Sequence, residues 1–398
     1  MLDDTQDAGA RTNTTHHAGA GAYPSGIQGD GAHDNPHPPY PRDGARRTTT
    51  RDAGARTSGA EADVRAAGGL DPAGAIVAQA NEAPTAERPV EGAVQVLSPR
   101  QVPLGGLRAL EVRRTLPHRD RSFVGAWCFV DHYGPERGVG MDVPLHPHTG
   151  LQTVSWLFEG AIEHHDSGGA HAVVRPGEVN LMTSGHGIVH SEVSTPGTET
   201  LHGVQLWVAL PDVTRDGDRA FEHHAPECVP LPSGQGSALV FIGELRGVAG
   251  SPIVTHTPLL GAELRLDAGA RVTLDVDEGF EHGILVDTGT VTLDGARLER
   301  GDLGCVDEGR ATLTLDVGDE PARVIVLGGT PFEEEIVMWW NFIGRSHDEI
   351  VLARDEYEAG AERFGSVEGY VGDVERIPTP TMPPVRLRPR NRRGRGGG

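Results

Sequence analysis

Two stretches of the chain decide the fold: LHPHTGLQTVSWLFEG (Leu145–Gly160) and RPGEVNLMTSGHGIVHSE (Arg175–Glu192). Apolar and polar residues alternate in both stretches between glycine turns, a pattern typical of short β-strands. Each stretch carries two potential metal ligands separated by one residue. These are His146 and His148, then His190 and Glu192. Because residues i and i+2 of a strand point to the same face, each pair can direct both side chains into one cavity.

Three neutral imidazoles and one carboxylate form a nitrogen and oxygen donor set. Such a set suits a divalent transition metal, namely iron, manganese, nickel, copper or zinc. On an octahedral ion, four protein ligands would leave two positions for a substrate or dioxygen. We therefore predict a metal site at His146, His148, His190 and Glu192. The alternative from the residues alone is an ion-free polar network between two facing strands.

Composition and charge exclude several classes of protein. The 398 residues carry 57 acidic and 35 basic side chains, giving a formal net charge of −22. A surface of that sign repels nucleic acid, so specific nucleic-acid binding is not expected. The three cysteines are widely separated and fit a reducing compartment better than a disulfide framework. No signal-peptide core or membrane-length apolar run is present, so we expect a soluble, cytoplasmic protein without a membrane partner.

Changes in composition along the chain predict its domain organisation. The first segment is poor in apolar residues and repeats DAGAR at Asp7–Arg11 and Asp52–Arg56, which predicts disorder. Runs of strand-like residues follow in two blocks, which predicts a β-sandwich or barrel. We divide the chain into a disordered tail (1–92), a metal-binding domain (93–225), a metal-free domain (226–331), a helical segment (332–372) and a disordered arginine-rich tail (373–398).

The second block resembles the first in the spacing of its strand-like segments but lacks the paired metal ligands. It offers only His282 in GFEHGILV, and GDLGCVDEG contains no His-x-Glu pair. Residues 212–236, which are rich in proline and charge, are expected to link the blocks. Capping boxes at Thr330–Glu333 and Ser346–Glu349 predict two short helices after the second block.

Other residues near the predicted ligands are weaker candidates. His164 and His165 lie in a turn-like stretch and are expected at the rim or in solvent. His186 is close enough to His190 to orient a ligand, whereas a structural hydrogen bond is expected for His202. Strand parity predicts that three apolar residues share a face with the histidines and form either a substrate wall or core packing. These residues are Val154, Trp156 and Phe158.

Four motifs together resemble the pirin family of the cupin superfamily, in particular its bacterial branch. They are HPHTGLQTVSWLFEG, MTSGHGIVHSE, HGVQLWVALP and GGTPFEEEIVMWWNFIGRSHDEI, and the resemblance covers about residues 93–372. It implies an all-β fold of two tandem cupin-type β-barrels with short C-terminal helices. It also implies one metal, usually iron as Fe(II), on the four predicted ligands and none in the second barrel. Gln152 and His186 depart from the glutamate and arginine that are frequent in relatives.

The resemblance also implies an activity, because pirins are similar to quercetin 2,3-dioxygenase. Our leading hypothesis is a metal-dependent dioxygenase that opens the ring of a flavonol or similar enol with dioxygen. Glu192 is then the candidate general base. The alternative is a non-catalytic metal- or redox-sensing regulator that acts through a protein partner as a transcriptional or metabolic co-regulator. A metal-free structural bicupin is a third reading, and a monomer is expected in each case.

Overall fold

The computed structural model describes residues 93–103, 110–138, 140–370, 374 and 376–392. The predicted disordered tail at 1–92 lies outside this part of the chain. Within it, the strands up to Ala209 are β1 (Gln95–Leu97), β2 (Arg100–Pro103), β3 (Glu111–Leu116), β4 (Trp127–Arg137), β5 (Asp142–His148), β6 (Leu151–Glu159), β7 (Ile162–Asp166), β8 (His171–Val174), β9 (Val179–Thr183), β10 (Ile188–Ser194) and β11 (Thr200–Ala209).

Fifteen further strands follow after Ala209 in the described part of the chain. They are β12 (Ala220–His224), β13 (Val229–Pro230), β14 (Gly236–Ile242), β15 (Glu244–Leu245), β16 (Ala249–Gly250), β17 (Leu259–Leu266), β18 (Arg271–Asp275), β19 (Glu281–Thr288), β20 (Val291–Leu293), β21 (Ala296–Leu298), β22 (Leu303–Val306), β23 (Thr312–Val317), β24 (Ala322–Gly329), β25 (Val337–Trp339) and β26 (Phe342–Gly344).

The predicted all-β fold of two tandem barrels is confirmed. In the first barrel, a seven-stranded sheet in the order β12-β9-β6-β11-β4-β3-β2 accompanies a four-stranded sheet in the order β5-β10-β7-β8. The second barrel repeats this arrangement, with a seven-stranded sheet in the order β1-β22-β19-β24-β17-β14-β13 and a four-stranded sheet in the order β18-β23-β20-β21. Each barrel thus has one large and one small sheet.

The chain crosses between the barrels at two places. Strand β1 precedes the first barrel in sequence but pairs with β22 of the second. The segment 212–236, expected to be a linker, instead contributes an edge strand to each barrel, since β12 pairs with β9 and β13 pairs with β14. The domain boundaries predicted from composition do not capture these exchanged strands.

Apolar residues of the two seven-stranded sheets form one shared core between the barrels. Trp156 of β6 stacks on Phe241 of β14 with ring centroids 4.6 Å apart. Its indole nitrogen donates a hydrogen bond of 2.8 Å to Oε2 of Glu263, a fully buried carboxylate of β17. Strand alternation explains the placement, since even-numbered residues of β6 point towards the second barrel. The core and this polar contact join the two barrels.

The first of the two predicted C-terminal helices is wrong. Val337–Trp339 and Phe342–Gly344 form a two-stranded hairpin, and Trp340 in its turn has φ of 51°. Nearly all apolar side chains from Ile336 to Ile343 are buried, so both faces of the segment are covered and the local capping signal is overridden. The second helix is confirmed as α1 (His347–Glu358), with Ser346 accepting from the backbone N–H of Glu349 as its N-cap.

The expected disordered arginine-rich tail is also wrong over the described residues 376–392. Arg376 forms a parallel bridge with Leu145 of β5, and Arg390 forms an antiparallel bridge with Ile336. We call this segment, residues 376–392, the strap. Tyr357 of α1 packs against the strap, with the Arg376 guanidinium 3.6 Å from the centroid of the Tyr357 ring. No helix in the described part of the chain combines the length and apolar character needed to cross a bilayer.

We predict that Trp156→Phe destabilises the joined barrels by about 1–3 kcal/mol, because Oε2 of Glu263 loses its indole donor and stays buried. Urea unfolding followed by fluorescence or circular dichroism measures the change. The matched control is Trp339→Phe, which removes an indole N–H that meets no acceptor among the described residues. Equal destabilisation by the two variants would contradict a specific role for the Glu263 contact.

Candidate metal centre

The four predicted ligands lie on two adjacent antiparallel strands of the first barrel. His146 and His148 occupy the end of β5, and His190 and Glu192 lie on β10. His190 is directly opposite His146, and a register shift follows between His190 and Glu192. All four residues are buried, with at most 6% of each exposed. Gly150 (φ +69°) makes the turn into β6, where a Cβ would lie 2.5 Å from the Ile343 carbonyl oxygen.

The three imidazoles converge. One ring nitrogen from each of His146, His148 and His190 lies within 4.8 Å of the other two. Their ring centroids are 4.2 to 5.0 Å apart. Glu192 belongs to an overlapping group, in which its carboxylate lies within 4.8 Å of ring nitrogens of His164 and His190. His190 is therefore common to both groups.

Hydrogen bonds select the atoms that can bind a metal. Nδ1 of His146 is 2.9 Å from the Pro144 carbonyl oxygen, and Nδ1 of His148 is 3.1 Å from the Asn341 carbonyl oxygen in the β25–β26 turn. A carbonyl only accepts, so each Nδ1 carries the proton and each Nε2 keeps a lone pair. Nε2 of His190 is buried without a hydrogen-bond partner among the described residues. This arrangement fits a bound metal ion.

The protonation state of the histidines also fits. Burial lowers the pKa of His146 to about 4 and the pKa of His148 and His190 well below the ordinary value. All three imidazoles are then neutral near pH 7, as ligation requires. Their burial without charge leaves the lone pairs available and adds no repulsion towards a cation.

His164 lies inside the barrel, which corrects the expectation of a rim or solvent position. It is 3% exposed, and its Nδ1 is 3.4 Å from Nδ1 of His190. Its Nε2 is 3.0 Å from Oδ2 of Asp166. A chain of contacts thus runs from a buried carboxylate through His164 to His190, the arrangement that commonly orients a metal-binding imidazole.

Glu192 lies in a polar pocket. Its Oε1 accepts a hydrogen bond of 2.8 Å from the Ser155 hydroxyl, which also lies 3.0 Å from Oε1 of Gln205. Burial raises the pKa of Glu192, and the neighbouring His164 and the hydrogen bonds oppose this rise. The carboxyl group can therefore exchange a proton closer to neutral pH than an exposed glutamate.

The aromatic wall beside the histidines is not the one predicted. Trp156 stacks on Phe241 of the second barrel, and Val154 shares its parity on β6. Phe158 contacts the Arg323 guanidinium, 4.8 Å from its ring centroid. The residues that alternate with these three along β6 face the histidines instead. Trp207 lies 5.2 Å from the His148 ring and stacks on Phe129 at 4.0 Å.

The remaining candidate histidines make structural contacts. Nδ1 of His186 is 3.0 Å from the Gly217 carbonyl oxygen. His202 and His132 both approach Oδ1 of Asp287 in the second barrel, at 2.6 and 2.8 Å, so the structural hydrogen bond expected for His202 is present. His282 is buried and joins no group of three metal donors among the described residues. The metal-free second barrel stays a prediction.

Comparisons with known proteins identify the family. The Pirin family model matches residues 109–208, and the Pirin C-terminal cupin domain matches 261–365. A provisionally named quercetin 2,3-dioxygenase of Pseudomonas aeruginosa is 41% identical over 298 residues, covering 74% of this chain and 92% of that protein. The chain belongs to the pirin family.

Two further relatives extend this result. Human pirin is 29% identical over 271 residues, which cover 66% of this chain and 92% of human pirin. The crystal structure of quercetin 2,3-dioxygenase from Acinetobacter baumannii is similar with a TM-score of 0.68 and 38% identity, covering 74% of this chain and 97% of that chain. The resemblance inferred from the motifs is confirmed.

Sequence reasoning missed several residues of this pirin-family site. The alternation of β7 gave a usable signal, since His164 and Asp166 share a parity as His146 and His148 do. Ser155 had the same signal on β6, opposite in parity to the apolar residues singled out there. The Asn341 carbonyl had none, because a backbone contact 193 residues away in sequence depends on tertiary packing.

We call the candidate site at His146, His148, His190 and Glu192 the inner metal site. We predict that His164→Gln weakens metal binding there roughly 10- to 100-fold, because His190 loses the imidazole that orients its ring. Competition with a chelator measures the affinity. His223→Gln is the control, since it removes a partly buried histidine on β12 whose polar contacts among the described residues are with Asn180 and Glu178. An unchanged affinity in His164→Gln would show that the Asp166–His164 chain does not support the site.

Proposed function

We propose that this pirin-family protein is a metal-dependent dioxygenase of the quercetin 2,3-dioxygenase type. The observation that carries the proposal is the convergence of three buried, neutral imidazoles, two of which are fixed through Nδ1 by backbone carbonyls. Glu192 completes the proposed ligand set. The names of the Pseudomonas and Acinetobacter relatives support the same reaction class.

Iron as Fe(II) is the proposed metal, with manganese, nickel, copper and zinc as alternatives that the same donors accept. A bound divalent ion would supply Lewis acidity, which lowers the pKa of a coordinated hydroxyl group, and open positions for small molecules. The remaining requirements fall on the side chains around it. They must hold a flat substrate, exclude water and accept a proton.

Glu192 is the proposed general base. Its carboxylate lies beside the converging imidazoles, where it can accept a proton from an enol or phenolic hydroxyl held at the site. The Ser155 hydroxyl donates to Oε1 of Glu192, which holds the carboxylate in one orientation. Because both residues are buried, bulk water does not compete for the proton.

The proposed substrate is a small aromatic molecule of the flavonol type, used together with dioxygen. Trp207 lies 5.2 Å from the His148 ring and is held by stacking on Phe129, whose ring the Arg114 guanidinium also contacts. Aromatic pairs favour stacked or edge-on contact with a further ring. Trp207 therefore supports an aromatic substrate at this site.

We predict that protein loaded anaerobically with ferrous iron consumes oxygen when quercetin is added. His190→Ala should abolish both bound iron at this site and uptake. Glu192→Gln should lower turnover by about 100-fold or more through loss of the base. An oxygen electrode measures uptake, and iron analysis of the same samples measures occupancy.

The wild-type protein without quercetin and the His223→Gln variant serve as controls. Uptake that requires quercetin and His190 supports the proposal. Absence of uptake in wild-type protein with demonstrated iron at the site contradicts a quercetin-type reaction. Full activity in His190→Ala contradicts the site.

We also predict that Trp207→Leu raises the KM for quercetin up to about tenfold, because it removes the indole beside His148 and an aromatic contact contributes about 0.5–1.5 kcal/mol beyond its buried area. Phe158→Leu, which alters the contact with Arg323 between the barrels, should leave KM within about twofold. Steady-state oxygen uptake over a range of quercetin concentrations measures both values. The reverse order of effects would restore the Phe158 face as the substrate wall.

A further inference from the structure

Strand β7 presents histidines to both of its faces. His164 and Asp166 point inwards, while Glu163 and His165 occupy the outer face. On the neighbouring strand β8, His171 lies directly opposite His165. Residues paired in this way bring their side chains within contact distance on one face of a sheet.

These three outward side chains form a compact donor cluster. Nε2 of His171 is 2.6 Å from Oε1 of Glu163, and Nε2 of His165 is 3.4 Å from the same oxygen. The two imidazole rings are stacked with centroids 4.0 Å apart. One donor atom from each residue lies within 4.8 Å of the other two. A small rearrangement of these side chains would place all three on one ion.

We propose that Glu163, His165 and His171 form a second metal site, which binds a divalent transition-metal ion on the outer face of the β7–β8 hairpin. Two imidazoles and a carboxylate suit zinc, nickel, cobalt or copper, with water completing the coordination. This site is separate from the inner centre, because the inner donors use the opposite face of β7.

Charge and access favour this cluster over the buried donor group between the barrels. The group of His132, His202 and Asp287 is buried, and the Arg323 guanidinium lies 3.2 Å from Asp287. In the outer cluster, by contrast, no guanidinium forms an ion pair with Glu163 among the described residues. The side chain of His171 is 59% exposed, so an ion can reach it directly.

The carboxylate of Glu163 is available near neutral pH. Its pKa lies below the ordinary value chiefly because His171 donates a hydrogen bond to it. A metal ion would replace the proton that His171 now shares with Glu163. The ion would then be held by the carboxylate and one ring nitrogen from each imidazole.

The test is zinc binding by the full-length protein after removal of metals with a chelator. Isothermal titration gives the number of bound ions and their affinities. His171→Gln should remove one zinc ion, weakening its binding by about 100-fold or more. His223→Gln should bind as many ions as the wild type, because His223 belongs to no group of three metal donors among the described residues. Circular dichroism checks that each variant is folded.

The location of the bound zinc ion is tested by modifying histidines with diethylpyrocarbonate and identifying the modified residues by mass spectrometry. Zinc should protect His165 and His171 in the wild type, and Glu163→Gln should abolish that protection. The proposal is overturned if His171→Gln binds as many zinc ions as the wild type with the same affinities. It is also overturned if zinc leaves both histidines reactive, which would identify the cluster as a hydrogen-bonded network only. His190→Ala should retain the outer ion, so failure of the dioxygenase proposal would not affect this result.

Discussion

The rest of the site depends on three uncharged imidazoles buried together in the first barrel. Burial disfavours the protonated form and keeps the rings neutral, and carbonyl acceptors fix which nitrogen carries the proton in His146 and His148. The i, i+2 spacing on paired antiparallel strands then aims the remaining lone pairs at one another. Without a cation, Nε2 of His190 would be buried with no hydrogen-bond partner among the described residues, which is costly in a protein interior.

The second barrel and the C-terminal segment support the site through contacts made by residues distant in sequence. The β25–β26 turn supplies the Asn341 carbonyl to His148, and the strap of residues 376–392 packs on the adjacent α1. The second barrel covers the outer face of the large sheet, where Trp156 meets Glu263 and His202 meets Asp287. Strand β6 therefore contacts the site through Ser155 and the second barrel through Trp156.

Much of the fold and the centre of the site could be predicted from the sequence. Alternation and paired ligands are local signals, so the β-class, His146, His148, His190 and Glu192 followed from spacing together with the family resemblance. Long-range signals were absent. The hairpin at Val337–Gly344 mimicked a capped helix because its burial on both faces depends on partners elsewhere in the chain. Parity was misassigned on β6, since the sequence does not state which face meets the second barrel.

The central claim is that three imidazoles and Glu192 hold one metal ion in the first barrel. X-ray absorption spectroscopy of the His171→Gln protein, carrying one equivalent of ferrous iron, tests it most directly. The account predicts scattering from three imidazole ligands and at least one carboxylate oxygen, with loss of one imidazole in the additional variant His148→Ala. A spectrum with fewer than three imidazoles, or one unchanged by His148→Ala, would contradict the account.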